Sequence, residues 1–339
     1  MTSVKSTQNI KLGYFYILLT TIIFSMAEPI FKTVGGQFNA VQFVATRFFF
    51  GGLVLLPFAI KHLKKNDIGT KSTNKIQLTS RDIFDIVLCG ILNVTISMTF
   101  YQMALALIPA SVAAVLLCTN PVTTALFSRW LFKEPLTKNK LWMIVLSLIG
   151  VFIIVNPFGQ PLNMTGLFYM LITVITFSLY SVIGKRTTQK LGGLAANSFT
   201  SIIGGLVTFV FIFATNIPAI GDFFAANGFP VLSYINLFGG YTLESMPWVI
   251  WIWVVQTGIG FLCYFKGMEL TSATEASVCF LLKITLGPII SSIFIGETIT
   301  LNLAIGMVIT SIGSIVVLYP GLKQIFAERR ANSDASLGN

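Results

Sequence analysis

Ten stretches of about twenty mostly apolar residues divide this chain, at roughly 11–33, 40–60, 83–107, 110–131, 139–156, 164–184, 193–215, 247–269, 273–295 and 300–319. A helix needs a run of about that length to cross a bilayer. Lipid offers no partners to backbone N–H and C=O groups, so a spanning segment must satisfy its own, as a helix does. The expected fold class is therefore an all-α integral membrane protein with ten transmembrane helices. The balance of residues agrees: 55% are hydrophobic and 10% charged, against about 25% charged in soluble domains. Short connections, such as Ile108-Pro109, leave little chain outside the membrane, while 61–82 and 216–246 are longer loops. The first dozen residues and the tail after about Pro320 read as unstructured. The first apolar run is too long for a cleavable leader and lacks a small-residue cleavage site.

A net charge of +10 could point to nucleic acid, but the placement of the basic residues argues for orientation. Lysine and arginine favour the cytoplasmic side of a membrane. With the N-terminus inside, the inner segments hold every Lys and Arg except Lys32, Arg47, Lys266 and Lys283, and the loops 157–163, 216–246 and 296–299 hold none. Both termini are expected in the cytoplasm, with the chain in the plasma (bacterial inner) membrane. The basic charge then serves topology and attraction to anionic lipid; no nucleic-acid partner is expected. Four cysteines fall inside apolar runs at no zinc-like spacing and read as packing thiols. The single histidine, His62, lies in a charged loop, so there is no histidine proton relay. There is no phosphate-binding glycine motif and no nucleophile–base arrangement. The chain is read as no enzyme, with no metal and no cofactor.

The chain also repeats itself. A shift of 153 lays GYFYILLTTIIFS (13–25) on GLFYMLITVITFS (166–178), with eight identities in thirteen positions, and GGLV (51–54) on GGLV (204–207). A shift of 163 then aligns Tyr101 with Tyr264, Ala110 with Ala273, Ala113 with Ala276 and Glu134 with Glu297. The expected organisation is a cytoplasmic N-terminus (1–11), two five-helix units (12–156 and 157–320) and a cytoplasmic tail (321–339). Five is odd, so the second unit enters the membrane from the opposite side. Inverted repeats suit alternating access, with the substrate near the midplane between them.

KEPLT (133–137) and GETIT (296–300) each follow a proline-containing helix and precede a helix with a late glycine. They resemble the repeated signature of the EamA-type drug/metabolite transporters. RFFFGGLVLLP (47–57) and LLKITLGP (281–288) are similar to segments of bacterial members. The resemblance covers about residues 12–320. It implies the family's ten-helix fold and the movement of small metabolites across the plasma membrane, with export the direction. Many relatives carry proline directly after the lysine, where this chain has Ile284 and leaves Pro288 as the helix breaker.

Ionisable residues inside a membrane are costly and mark function by default. Glu28 and Arg47 have no charged counterparts under the repeat, which pairs them with Ser181 and Thr200. They lie at comparable depth and are expected to form an ion pair, either purely structural or the outer part of a substrate path. Pro29 frees a carbonyl beside the charge. Lys32 reads as snorkelling to outer headgroups. Glu134 and Glu297 recur at equivalent turns and read as structural groups near free helix N–H ends. Lys283 falls near the midplane with Pro288 one turn on, and its counterpart Asn120 is followed by Pro121. Interrupted helices carrying polar residues at matched positions point to a transporter's site. The same register pairs the amides Asn93 and Gln256 and the phenols Tyr101 and Tyr264; membrane amides also serve simply to hold helices together.

These residues suit a secondary transporter of a small polar metabolite, favoured to be an amino acid or another carboxylate-bearing compound. Lys283 or Arg47 would hold the carboxylate, Glu28 an amine, and Glu28 is the candidate proton carrier. The partners are the substrate and the lipid bilayer, with a homodimer left as an option. Efflux of lipophilic cations is the alternative, and a non-transporting membrane protein or membrane enzyme the remote one.

Overall fold

The computed structural model describes residues 7–69, 79–133, 138–155, 162–271, 273–313 and 315–316. Among these the regular structure is helical, with no strand. We number ten apolar helices in chain order. α1 runs in two segments, Thr7–Ser25 and Ala27–Gly35, and α2 is Ala40–Gly69. α3 spans Ser80–Leu105, and α4 is again two segments, Ala110–Leu117 and Asn120–Phe132. α5 is Lys138–Val155, α6 Met164–Leu191 and α7 Gly193–Thr215. α8 spans Met246–Leu270, α9 is Ala273–Ile295 and α10 is Leu301–Gly313. Seven of these (α1–α4 and α6–α8) contain stretches long and apolar enough to cross a membrane. The apolar runs of α5, α9 and α10 are shorter. The 216–246 connection is not bare loop: it contains a helix at Pro218–Ala226 and a short turn at Pro230–Leu232.

The helix starts are built locally. Thr79 accepts the N–H of Asp82, and the Asp82 carboxylate accepts the N–H of Thr79, which caps α3 from both sides. Asn163 accepts the N–H of Gly166 at the start of α6.

Packing is inside-out relative to a soluble protein. Large apolar side chains such as Phe84, Trp130, Val210 and Phe213 are exposed, as lipid-facing side chains are. Hydroxyls of Thr20, Ser97, Thr173, Ser201 and Thr208 lie fully buried. Small residues let helix backbones approach where lipid supplies no hydrophobic drive. The duplicated GGLV is such a device. A Cβ on Gly52 would meet Ile202 of α7 at 2.8 Å, and one on Gly205 would meet Phe49 of α2 at the same distance. Gly52 and Gly205 thus each seat against the helix that carries the other, while Gly51 faces Thr257 of α8 and Gly204 faces Gly90 and Val94 of α3. α1 packs on α8 and α9, and α4 on α9, so helices from the two halves interleave around the centre.

Two expectations about helix breaks hold and one fails. α1 is interrupted at Met26, with Pro29 in the first turn of its second segment, and α4 is interrupted before Asn120-Pro121. Pro288, by contrast, lies inside a continuous α9. Proline removes one backbone donor there, a loss that packed membrane helices absorb without a break. The sequence reading also missed two π-helical stretches, Ile91–Met98 in α3 and Trp251–Ile259 in α8. They contain Asn93 and Gln256, which the 163-residue shift superposes. Wide turns of this kind recur at functional sites.

Candidate functional site

The break in α1 places Glu28 at the first turn of the second segment, where helix N–H groups favour a carboxylate. The side chain is 1% exposed. Its Oε1 accepts hydrogen bonds from Lys283 Nζ at 2.6 Å and from the Tyr101 hydroxyl at 2.7 Å. Lys283 and Tyr101 are buried as well. One carboxylate oxygen therefore gathers α1, α3 and α9, and the ion pair joins residues 255 positions apart. The other oxygen, Oε2, is buried with no hydrogen-bond partner.

This corrects the expected Glu28–Arg47 pair. No hydrogen bond or ion pair joins those two side chains among the described residues. Arg47 feels the charges of Glu28 and Lys283 without touching either. Its guanidinium carbon sits 4.3 Å from the centre of the Phe31 ring and 4.7 Å from that of Phe48. Nε donates to Thr257 Oγ1 at 3.3 Å, and Thr257 in turn donates to Gln256 Oε1 at 2.8 Å. The separate outer and central layers expected from depth along the sequence are thus one layer. The direct contact puts Glu28 level with Lys283, beside the break in α1, which residue counting along straight helices does not capture.

The remaining expected site residues divide. Tyr101 and Gln256 belong to this layer. Asn93 is buried in the π-helical part of α3, with its Oδ1 unpaired. Asn120 is elsewhere: its Oδ1 accepts from Ser178 at 2.6 Å and from Thr124 at 3.0 Å, within a hydroxyl cluster between α4 and α6. Tyr264 packs against Phe265 and Phe280 and touches none of the charged groups.

Lys32 does not snorkel. It donates to Glu297 Oε1 at 3.0 Å and to the Ile108 carbonyl at 3.2 Å. Glu297 also accepts the backbone N–H of Ala110 at 2.7 Å and of Ser111 at 2.9 Å. Glu297 does cap free helix N–H groups, as expected of its turn, but those of α4 rather than of its own neighbours. Burial works against its charge, yet the N–H groups of Ser111 and Ala110, with Lys32, outweigh it and hold the carboxyl below the usual carboxylate range. Two cavities flank Lys32. One of about 650 Å³ is lined by Ser111, Glu297, Thr300 and Asn302, and one of about 690 Å³ by Phe31, Gln102 and Tyr169. Neither reaches Glu28 or Lys283, which are sealed beneath. At the other, basic-rich face, Asp82 of α3 pairs with Lys190 and, at 3.7 Å, with Arg186 of α6. Glu134 lies outside the described residues. Among those residues no group of three or more His, Cys, Asp or Glu side chains converges on a point.

Comparison with known proteins gives this arrangement a setting. A family model described as the EamA-like transporter family matches residues 11–156 and again 164–319. A protein of Clostridium kluyveri named as an uncharacterized transporter is 31% identical over 334 residues, 96% of this chain and 99% of that one. A protein of Rickettsia prowazekii named as an S-adenosylmethionine uptake transporter is 24% identical over 196 residues, 58% of this chain and 62% of that one. A crystal structure 15% identical in sequence aligns with a TM-score of 0.58, covering 92% of this chain and 96% of that one, which shows a shared fold.

Proposed function

The chain belongs to the EamA-like transporter family, and from that premise we propose that it moves a small carboxylate-bearing metabolite, an amino acid or a close derivative, by alternating access. The observation that carries the reading is the buried Glu28–Lys283 pair. It ties a helix of the first half to a helix of the second at the level where both interrupted segments lie. A substrate with opposite charges can insert between such partners and satisfy both, so the pair is open to exchange in a way that an apolar contact is not.

In this reading ten helices cross the plasma membrane as two inverted five-helix units, residues 12–156 and 157–320, with both termini cytoplasmic. The twofold match of the family model supports the two units. The face that carries Lys32 and Glu297 is then the outer one, and their bridge, anchored on the α4 N–H groups, closes it. Charge supports the substrate class: Arg47 and Lys283 outnumber Glu28, whereas a site for lipophilic cations needs an unpaired carboxylate. S-adenosylmethionine, named for relatives, itself carries an α-amino carboxylate. Export is the direction implied by the family resemblance, and the uptake named for those relatives makes direction a measurement in its own right.

Thermal stabilisation of the purified protein across amino acids, other carboxylates, nucleosides, sugars and lipophilic cations tests the reading, since a ligand that binds only the folded state raises its stability. Stabilisation by zwitterions or carboxylates that disappears in Lys283→Met is the expected result. Stabilisation by lipophilic cations alone would replace this function with multidrug efflux. Counterflow in proteoliposomes of known orientation then reads direction.

A further inference from the structure

We propose that Arg47 receives the carboxylate of the substrate and the unspent Oε2 of Glu28 its ammonium group, so that the cargo carries an α-amino acid head group. This rests on the transporter reading above and narrows it. The sequence alone left Lys283 and Arg47 as equal candidates for the carboxylate. The structure separates them: Lys283 is already committed to Glu28, while Arg47 pairs with no anion among the described residues.

A guanidinium has five N–H donors in one plane. Among the described residues that of Arg47 makes one hydrogen bond, from Nε to Thr257, in a side chain only 5% exposed. Its terminal nitrogens hydrogen-bond to no described residue and are not among the fully buried unpaired atoms, so they remain reachable by a ligand's acceptor oxygens. Phe31 and Phe48 pack against the guanidinium, so what remains for a ligand is the in-plane fork. That fork matches the two oxygens of a carboxylate. Thr257 fixes the orientation: it accepts from Arg47 and spends its own proton on Gln256. Gln256 is therefore a positioning residue.

The second anchor lies on the helix that carries the ring Arg47 packs on. Phe31, on which Arg47 rests, is three residues after Glu28 and so on the same helix face, with Cβ atoms about 5–6 Å apart. Glu28 keeps one oxygen unpaired. An α-amino acid head group carries its two charged groups on one carbon, so it can offer a hydrogen bond to each of two neighbouring anchors at once. The buried layer has two cations and one carboxylate, and a zwitterion leaves that net charge unchanged while giving Arg47 an anionic partner.

The experiment measures binding to the full-length protein in detergent, using the common L-amino acids and S-adenosylmethionine. Each binder is compared with its primary amide, which lacks the carboxylate charge, and its N-acetyl derivative, which lacks the ammonium. In wild type, both derivatives are expected to bind at least about tenfold more weakly than the parent, the equivalent of one good polar contact. In Arg47→Gln, acid and amide are expected to bind within about twofold of each other, while the N-acetyl penalty persists. Arg47→Lys keeps the charge but not the fork, so it should bind the acid more weakly than wild type and still prefer it to the amide. Should Arg47→Gln fail to fold, the wild-type comparisons and Arg47→Lys decide. Wild-type discrimination in Arg47→Gln or wild-type affinity in Arg47→Lys would each overturn the assignment of Arg47 alone, and equal binding of acid and amide by wild type would overturn it together with the carboxylate reading. Failure of every amino-acid probe to bind folded wild type, with lipophilic cations binding instead, would overturn it together with the carboxylate reading.

Discussion

Glu28 and Lys283 form the contact on which the rest of the centre depends, and its energetics give a sharp expectation. A buried ion pair is a poor source of net stability, but removing one partner leaves a charge uncompensated at a cost of about 3–5 kcal/mol. Lys283→Met should therefore lower unfolding stability by roughly that amount. Adding Glu28→Gln should restore most of it, because the amide can still accept from Tyr101. Unfolding of the two single variants and the double variant reads this as a coupling energy; losses that simply add would mean that the two residues act independently. The restored double variant should fold and still fail to transport. Transport by it would make the pair structural scaffold. At this scale the sequence reading named nearly every participant, Glu28, Lys283, Arg47, Tyr101 and Gln256, and mismatched the partners. Which carboxylate meets which cation depends on helix tilt and azimuth, and these leave no mark on residue types.

Among the elements, the turn between α9 and α10 and the start of α4 act together. Glu297 holds two N–H groups of α4 and Lys32 of α1, so separating these elements breaks three charge-assisted hydrogen bonds. Glu297→Gln should loosen them while leaving the helices intact. A cysteine in place of Val112, which lines the adjoining cavity, is expected to react several-fold faster with an impermeant maleimide in that background; an unchanged rate would remove the bridge from the closure of this face. The pH dependence has a definite sign. The native carboxyl lies below its ordinary range, so its stabilising effect is complete above the unfolded value of about 4.3 and fades as pH falls through the lower native one. Labelling normalised to the thiolate fraction, since only the thiolate reacts, should be flat from about pH 8 to about pH 5 and rise only in stronger acid. The sequence marked Glu297 as a helix-capping group because its turn recurs. It left open which helix is capped, since a turn can serve any N-terminus that packing brings within reach.

Across the whole molecule, the duplicated GGLV seats α2 and α7 against each other and sets how closely they pack. Gly205→Leu would drive a branched side chain into the backbone of α2 at Phe49, where even a Cβ lies 2.9 Å from the backbone nitrogen. Overpacking of this kind costs about 1–3 kcal/mol. The expected outcome is a lower unfolding temperature with binding at the Arg47 layer preserved in the folded fraction. A variant as stable as wild type would show that the crossing yields freely. The apolar runs coincide with helices to within a few residues at most ends, and seven of those helices contain stretches long and apolar enough to cross a membrane. The repeat marked α4 and α9 as the interrupted pair, of which only α4 is broken, and it paired Asn93 with Gln256 without warning of the π-helical turns around them. Those turns depend on what each helix packs against, and residue patterns do not encode that directly.

The helical class, the span positions, the excess of basic residues at one face and the internal duplication were thus all legible from the order of residues. Each follows from local physics: the length a bilayer demands, the preference of Lys and Arg for one side, and similarity along the chain. The identity of the central contact was decided only in three dimensions. Glu28 could have met Arg47 nineteen positions away or Lys283 at 255, and sequence separation carries no energy once both helices are packed. Tertiary packing chose Lys283 and left Arg47 stacked on two phenylalanines, with one hydrogen bond to Thr257 and no ion pair among the described residues.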